Sequence, residues 1–200
     1  MLQELPKPIV ADPEHRETPM SRIPPAPTDA MKPRTQDDCA ALAAYGPFQN
    51  WAGIAAQSPV VLHQVTEMLV NMRAETALPR RVIELAMVAV SQLNACDYCL
   101  SHHVPSLKVT GLSVQGVARL LEEENPELDA QDKAVVRYAK AVTERSARMR
   151  DAEVADLKAW FDNGQIVELT WRIALGGAFN RFNDALQIEP EEPLNPGADQ

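Results

Sequence analysis

Glu84, Cys96, Cys99 and His103 are the side chains in this chain whose types and spacing could do redox chemistry. Two cysteines with two residues between them can close a small disulfide, and a histidine four residues after the second lies on the same helical face. Reducing a hydroperoxide needs a thiolate, and a free cysteine with a pKa of about 8.5 is mostly protonated at neutral pH. Something must lower that pKa. The first turn of a helix offers the positive end of its dipole, His103 can take or hold the proton, and Glu84 can orient the imidazole. The attacked thiolate then becomes a sulfenic acid, a second thiol resolves it to a disulfide, and a separate dithiol restores the pair.

These groups meet only if the chain turns between them. On one unbroken helix, the twelve residues from Glu84 to Cys96 would span about 18 Å, too far for proton transfer. Asn94-Ala95 is the expected corner, and a helix returning from it would bring Glu84 close to His103 and within one turn of Cys99. The surrounding pattern is helical throughout, with no convincing two-residue alternation, which predicts an all-α fold. Helices are expected over residues 36–44 and 48–57, interrupted by Gly46-Pro47, and from Pro59 to about Ala74 with Ser58 as N-cap. A further one over 79–94 is apolar nearly all round, so a carboxylate at Glu84 should have a partner. The thiol helix should run from Ala95 or Cys96 to about Val109, ended by Gly111. Ser113 caps the next, which should reach Glu122 to Glu124. Asp129 and Asp151 are expected caps for two more, with Asn163-Gly164 ending the second, and a last helix covers 165–186 with Gly176-Gly177 as a site of close approach or bending.

Half of the 16 prolines fall within residues 1–33. That density prevents a helix and favours an extended or disordered arm over 1–34, either loose or packed on a neighbouring subunit. Residues 35–188 form the expected helical domain, and the proline-rich, acidic 189–200 a loose tail. The formal charge of -9 and sequence pI near 4.9 argue against a nucleic-acid partner, which needs a basic face. No uninterrupted apolar run is long enough to span a bilayer. Residues 1–10 lack the pattern of a secretory signal, and a vicinal pair among only three cysteines suits a reducing compartment, so a cytoplasmic location is expected.

The segments Arg81-Val82-Ile83-Glu84-Leu85-Ala86, Asn94-Ala95-Cys96-Asp97-Tyr98-Cys99 and His102-His103 resemble the core motif of the alkylhydroperoxidase D / carboxymuconolactone decarboxylase family, most of all its peroxidase-related branch. A supporting match runs through Ala178-Phe179-Asn180-Arg181-Phe182-Asn183-Asp184-Ala185-Leu186, and the similarity extends over roughly residues 22–188. The resemblance implies an AhpD-like helical domain and a thiol peroxidase-like antioxidant activity without metal or organic cofactor. It implies Cys99 as the peroxide-attacking sulfur, Cys96 as the more exposed resolving sulfur, and Glu84 with His103 as the proton relay. It also implies a hydroperoxide substrate, a dithiol electron donor and a homo-oligomer, trimer or hexamer. One position departs from the pattern: the best-understood members carry a further histidine immediately before the second cysteine, where this chain has Tyr98. His102 or the Tyr98 hydroxyl could supply the donor instead.

Other readings compete. The thiol pair could be purely structural, or Cys96, Cys99, His103 and Glu84 could hold zinc, although the usual second thiol pair is missing. The decarboxylase side of the family acts on an acidic lactone, and its members typically lack the thiol pair. A non-enzymatic redox sensor would use the same disulfide. Cys39 reads as a small buried hydrophobe. Arg181, on an apolar helix, would if buried pair with Glu84, Asp184 or a substrate carboxylate, which makes it a possible supporting residue.

Overall fold

The structure, a computed structural model, describes residues 21–191. Among these the chain is all-α, with no strand. The helices are α1 (Pro33–Tyr45), α2 (Gln49–Ala55), α3 (Pro59–Glu75), α4 (Arg80–Leu93), α5 (Asp97–Val109), α6 (Val114–Ala118), α7 (Ala130–Arg145), α8 (Asp151–Leu157) and α9 (Asn163–Leu186). Single 3-10 turns occur at Thr28–Ala30 and Ser146–Arg148.

Helix α4 is the axis of the molecule because its sequence offers almost no polar face. Val82, Leu85, Ala86, Val88, Ala89 and Val90 are all buried, and α5, α7 and α9 pack around them. Gly176 lets α9 approach this closely: a Cβ there would sit 3.3 Å from Met87 Sδ. Arg81 ties the start of α4 to α7, with Nη2 2.7 Å from Asp132 Oδ2 and Nη1 donating to the Thr110 carbonyl at 2.9 Å. A second apolar cluster, built on Leu42, Trp51, Ile54 and Leu62 of α1 to α3, closes over Cys96, Tyr98 and Cys99. The thiol segment therefore sits where the two clusters meet.

The turn expected at Asn94-Ala95 is there. Asn94 ends α4, Ala95 adopts the left-handed conformation with φ 54, and Cys96 becomes the N-cap of α5 while its N–H donates to the Ser91 carbonyl at 3.0 Å. A non-glycine residue in this region stores strain of about 1–3 kcal/mol, held here by the packing on both sides. Asp129 caps α7 as expected, in a reciprocal box with Asp132.

Several boundaries differ from the sequence expectation. Helix α6 stops at Ala118, because Asn125 donates its side-chain amide to the carbonyls of Gly116 and Arg119 and diverts the chain into turns. Asn163-Gly164 begins a helix rather than ending one: Asp162 accepts from Gln165 N and Gln165 reaches back to Asp162 N, a capping box that the acid and amide three residues apart supply. Asp151 is the first residue inside α8, with Arg150 at its cap, and Ser58 makes no side-chain cap bond to α3.

The described part of the proline-rich arm lies against its own chain. Ala26 N donates to Gly53 O at 2.8 Å, Gln57 Nε2 to Pro24 O at 2.9 Å, and Arg22 N to Leu186 O at 2.8 Å. Helix α1 begins inside the stretch expected to be extended, with Pro33 at its first position, where the missing N–H leaves no bond unmade. Residues 189–191, expected to open a loose tail, are held by Asn50. The rest of the expected arm and tail, residues 1–20 and 192–200, lies outside the described residues. No helix of the described residues is long and apolar enough to cross a membrane.

Candidate functional site

The motif residues meet as two pairs at the α4–α5 corner, Glu84 with His103 and Cys96 with Cys99, and Glu84, Cys99 and His103 line one cavity. Glu84, buried on α4, points its Oε2 at His103 Nδ1, 2.8 Å away on α5, while Arg80 Nε stands 3.7 Å from the other carboxylate oxygen. His103 lies one helical turn beyond Cys99 on the same face. Cys99 is the third residue of α5, in the first turn where the unpaired backbone amides and the dipole favour negative charge.

The two sulfurs are not bridged and lie close enough to influence one another. Their acidities are driven apart. The Cys96 thiol, donating to Cys99, pulls the Cys99 pKa below the ordinary thiol value; burial opposes this, and the His103 imidazole with the Asn180 and Asn183 amides reinforces it. The same hydrogen bond, together with burial, pushes the Cys96 thiol up. The split favours negative charge on Cys99 over Cys96.

The exposure order is the reverse of what the resemblance implied. Cys96 is 0% exposed and Cys99 7%, and only Cys99 reaches the adjoining cavity of about 1060 Å³. The reason is local: as N-cap of α5, Cys96 turns under the second apolar cluster, whereas Cys99 lies on the α5 face that opens toward α4. Beside it the cavity wall carries Glu84, Tyr98, His102 and His103, and its body is apolar, with Trp51, Met87 and Phe179.

Tyr98 and His102 both belong to this wall. Their rings lie 4.6 Å apart, and His102 stacks on Phe48 at 4.8 Å. Arg181 does not belong. It is exposed on the far side of α9 and donates to its own helix at Gly177 O, because the inward face of α9 is taken by Asn180 and Asn183. Among the described residues no three His, Cys, Asp or Glu side chains converge in an arrangement able to hold a metal ion. Cys39 is partly buried on α1 and packs against the second cluster, outside the cavity wall.

Three residues at the site were not among the predicted site residues, although Asn180 and Asn183 lie in the supporting match. Asn183 Nδ2 donates to Cys99 Sγ at 3.3 Å, and its Oδ1, buried beside the cavity, has no hydrogen-bond partner among the described residues. Asn180, fully buried, accepts from Asn94 at 2.8 Å and donates to Ser91 Oγ, which locks α9 to the corner. Two amides on the inward face of an apolar helix were the available clue. Glu191, near the end of the described chain, meets both Tyr98 and His102, and nothing in its local sequence pointed there.

Comparison with known proteins agrees with this architecture. The carboxymuconolactone decarboxylase family model matches residues 59–124, the stretch that contains all four motif residues. The uncharacterized protein YnjA of Escherichia coli K12 is 29% identical over 119 residues, 58% of this chain, and the chain spans 64% of that relative's length. A crystal structure from Agrobacterium tumefaciens, of a protein of unknown function suggested to be an antioxidant defence protein AhpD, superposes with TM-score 0.62 at 26% identity, covering 69% of this chain and 95% of the other. An uncharacterized peroxidase-related protein from Ralstonia eutropha JMP134, with an alkylhydroperoxidase AhpD core, gives TM-score 0.75 at 18% identity over 87% of this chain and 94% of its own. With the Glu84, Cys96, Cys99 and His103 motif inside the stretch that the carboxymuconolactone decarboxylase family model matches, and with a helical fold in common, the chain is similar to the alkylhydroperoxidase D / carboxymuconolactone decarboxylase family.

Proposed function

We propose that this protein is a thiol-dependent hydroperoxide reductase working through Cys99 and Cys96. The observation that carries the reading is Cys99 itself: the acidified sulfur of the pair, at a helix N-terminus, facing the cavity, with the His103–Glu84 pair one turn away. In the first step the Cys99 thiolate attacks the distal oxygen of ROOH. The O–O bond breaks, an S–O bond forms, and the alkoxide takes a proton from His103, whose other nitrogen is held by Glu84. Next, the Cys96 thiol attacks the sulfenic sulfur of Cys99, and loss of water leaves the disulfide. An external dithiol then supplies two electrons and two protons to restore both thiols. No metal or organic cofactor enters these steps.

The test is hydroperoxide-dependent turnover by the whole protein with a panel of dithiol donors. Activity that disappears in Cys99→Ser and Cys96→Ser supports the reading; turnover that survives both replacements contradicts it and points to lactone chemistry. The burial of Cys96 favours a second reading, a redox sensor, since an external reductant meets a sealed sulfur. Stoichiometric oxidation with no turnover by any donor would select it. Assembly as a homo-oligomer, trimer or hexamer, and a cytoplasmic location are part of the same proposal.

A further inference from the structure

The wall beside Cys99 is held by a carboxylate that arrives from far along the chain. Helix α9 ends at Leu186, Gln187 turns in the left-handed conformation with φ 51, and the next residues meet α2 and α5. Ile188 is buried in the same apolar cluster as Cys96. Asn50 Nδ2 donates to the Glu189 carbonyl at 3.0 Å, and the Asn50 backbone N–H donates to Glu191 Oε1 at 3.0 Å. The Tyr98 hydroxyl donates to the same oxygen at 3.0 Å, while Glu191 Oε2 lies 2.8 Å from His102 Nε2, a charge contact rather than an aligned hydrogen bond.

The His102 and Glu191 side chains are only 10% and 9% exposed. A desolvated carboxylate is retained where donors replace its water, unlike a surface ion pair, which contributes little. Burial pushes Glu191 up, but the His102 contact and the Tyr98 hydroxyl outweigh it and hold the carboxyl below its ordinary value. Burial foremost, with Glu191 beside it, raises the Tyr98 pKa, so the phenol stays a donor. Both side chains that meet Glu191 are neighbours of Cys99, Tyr98 immediately before it and His102 three residues after it.

We propose that Glu191 is a positioning residue of the thiol site: by pinning Tyr98 and His102 it fixes the cavity wall at Cys99 and holds residues 187–191 as a strap over Cys96. Reagents then reach Cys99 from the cavity, and Cys96 only when the strap lifts. The inference rests on the peroxidase reading for its purpose, because a strap over the resolving sulfur governs when the disulfide is re-reduced. Its geometry stands apart from that reading, and the experiment uses an alkylating agent instead of a peroxide.

The full-length reduced protein is treated with limiting iodoacetamide, and initial modification rates at Cys96, Cys99 and Cys39 are read by peptide mass spectrometry. Wild type should modify Cys96 at least about tenfold more slowly than Cys99. Glu191→Ala should raise the Cys96 rate about tenfold or more with Cys39 unchanged, and Glu191→Gln, which keeps an acceptor for Tyr98, should raise it less. A folded Glu191→Ala protein with an unchanged Cys96 rate overturns the proposal, as does equal reactivity of Cys96 and Cys99 in wild type. Should Glu191→Ala fail to fold, Tyr98→Phe removes one hydroxyl donor and must still raise the Cys96 rate selectively; no change there also overturns it. The predicted alkylation pattern without peroxide turnover would remove the peroxidase reading and leave the strap standing.

Discussion

Glu84 Oε2 and His103 Nδ1 lie 2.8 Å apart across a corner that folds nineteen residues of chain back on itself. The contact leaves the second ring nitrogen of His103 as the one free to exchange a proton. Replacing His103 by Ala should lower peroxide turnover by about 10²–10⁴-fold, the usual contribution of a positioned acid or base. Glu84→Gln should cost less, because the amide oxygen can still accept from Nδ1. Steady-state turnover with a saturating dithiol checks both, and unaltered rates in both variants would remove the relay.

The separated acidities of the two thiols predict a pH profile. A lowered Cys99 pKa means that the thiolate persists below the ordinary thiol pKa of about 8.5 and is lost only as pH falls through the lower, folded-state value. Cys99 alkylation against pH should therefore show its midpoint below about 8.5, while Cys96 stays slow across the same range.

Asn183→Leu removes an amide donor 3.3 Å from the Cys99 sulfur. The Cys99 midpoint should move upward toward that of a free cysteine, and an unmoved midpoint would show that the amide plays no part in stabilising the thiolate. Thiolate absorbance in a variant lacking Cys39 follows this directly.

Arg81→Ala would leave Asp132, 3% exposed, without its guanidinium. Breaking one side of a buried pair costs about 3–5 kcal/mol; the low end is expected here because Arg81 keeps part of its surface in water and Asp132 also accepts from Asp129 N at the α7 cap. Urea unfolding measures the loss.

The helical class and the corner were legible because they rest on local rules. A proline opened α1 and α3, one stood just before α4, and a carboxylate on an otherwise apolar helix announced a partner. What could not be read was anything decided by a distant segment. Asn163-Gly164 reads as a stop until Asp162 and Gln165 are seen to cap each other. The burial of Cys96 depends on a cluster that includes Trp51 and Ile188, and the direction of Arg181 depends on which face of α9 meets α4. Glu191 stands 93 residues from the tyrosine it binds.

The most direct test of the thiol pair as the working centre is the intact mass of the protein after one equivalent of an organic hydroperoxide, without reductant. Wild type should lose two hydrogens by forming the Cys96–Cys99 disulfide, Cys96→Ser should gain one oxygen at Cys99, and Cys99→Ser should remain unchanged. Oxidation of Cys99→Ser at the wild-type rate, or no disulfide in wild type, would contradict the account.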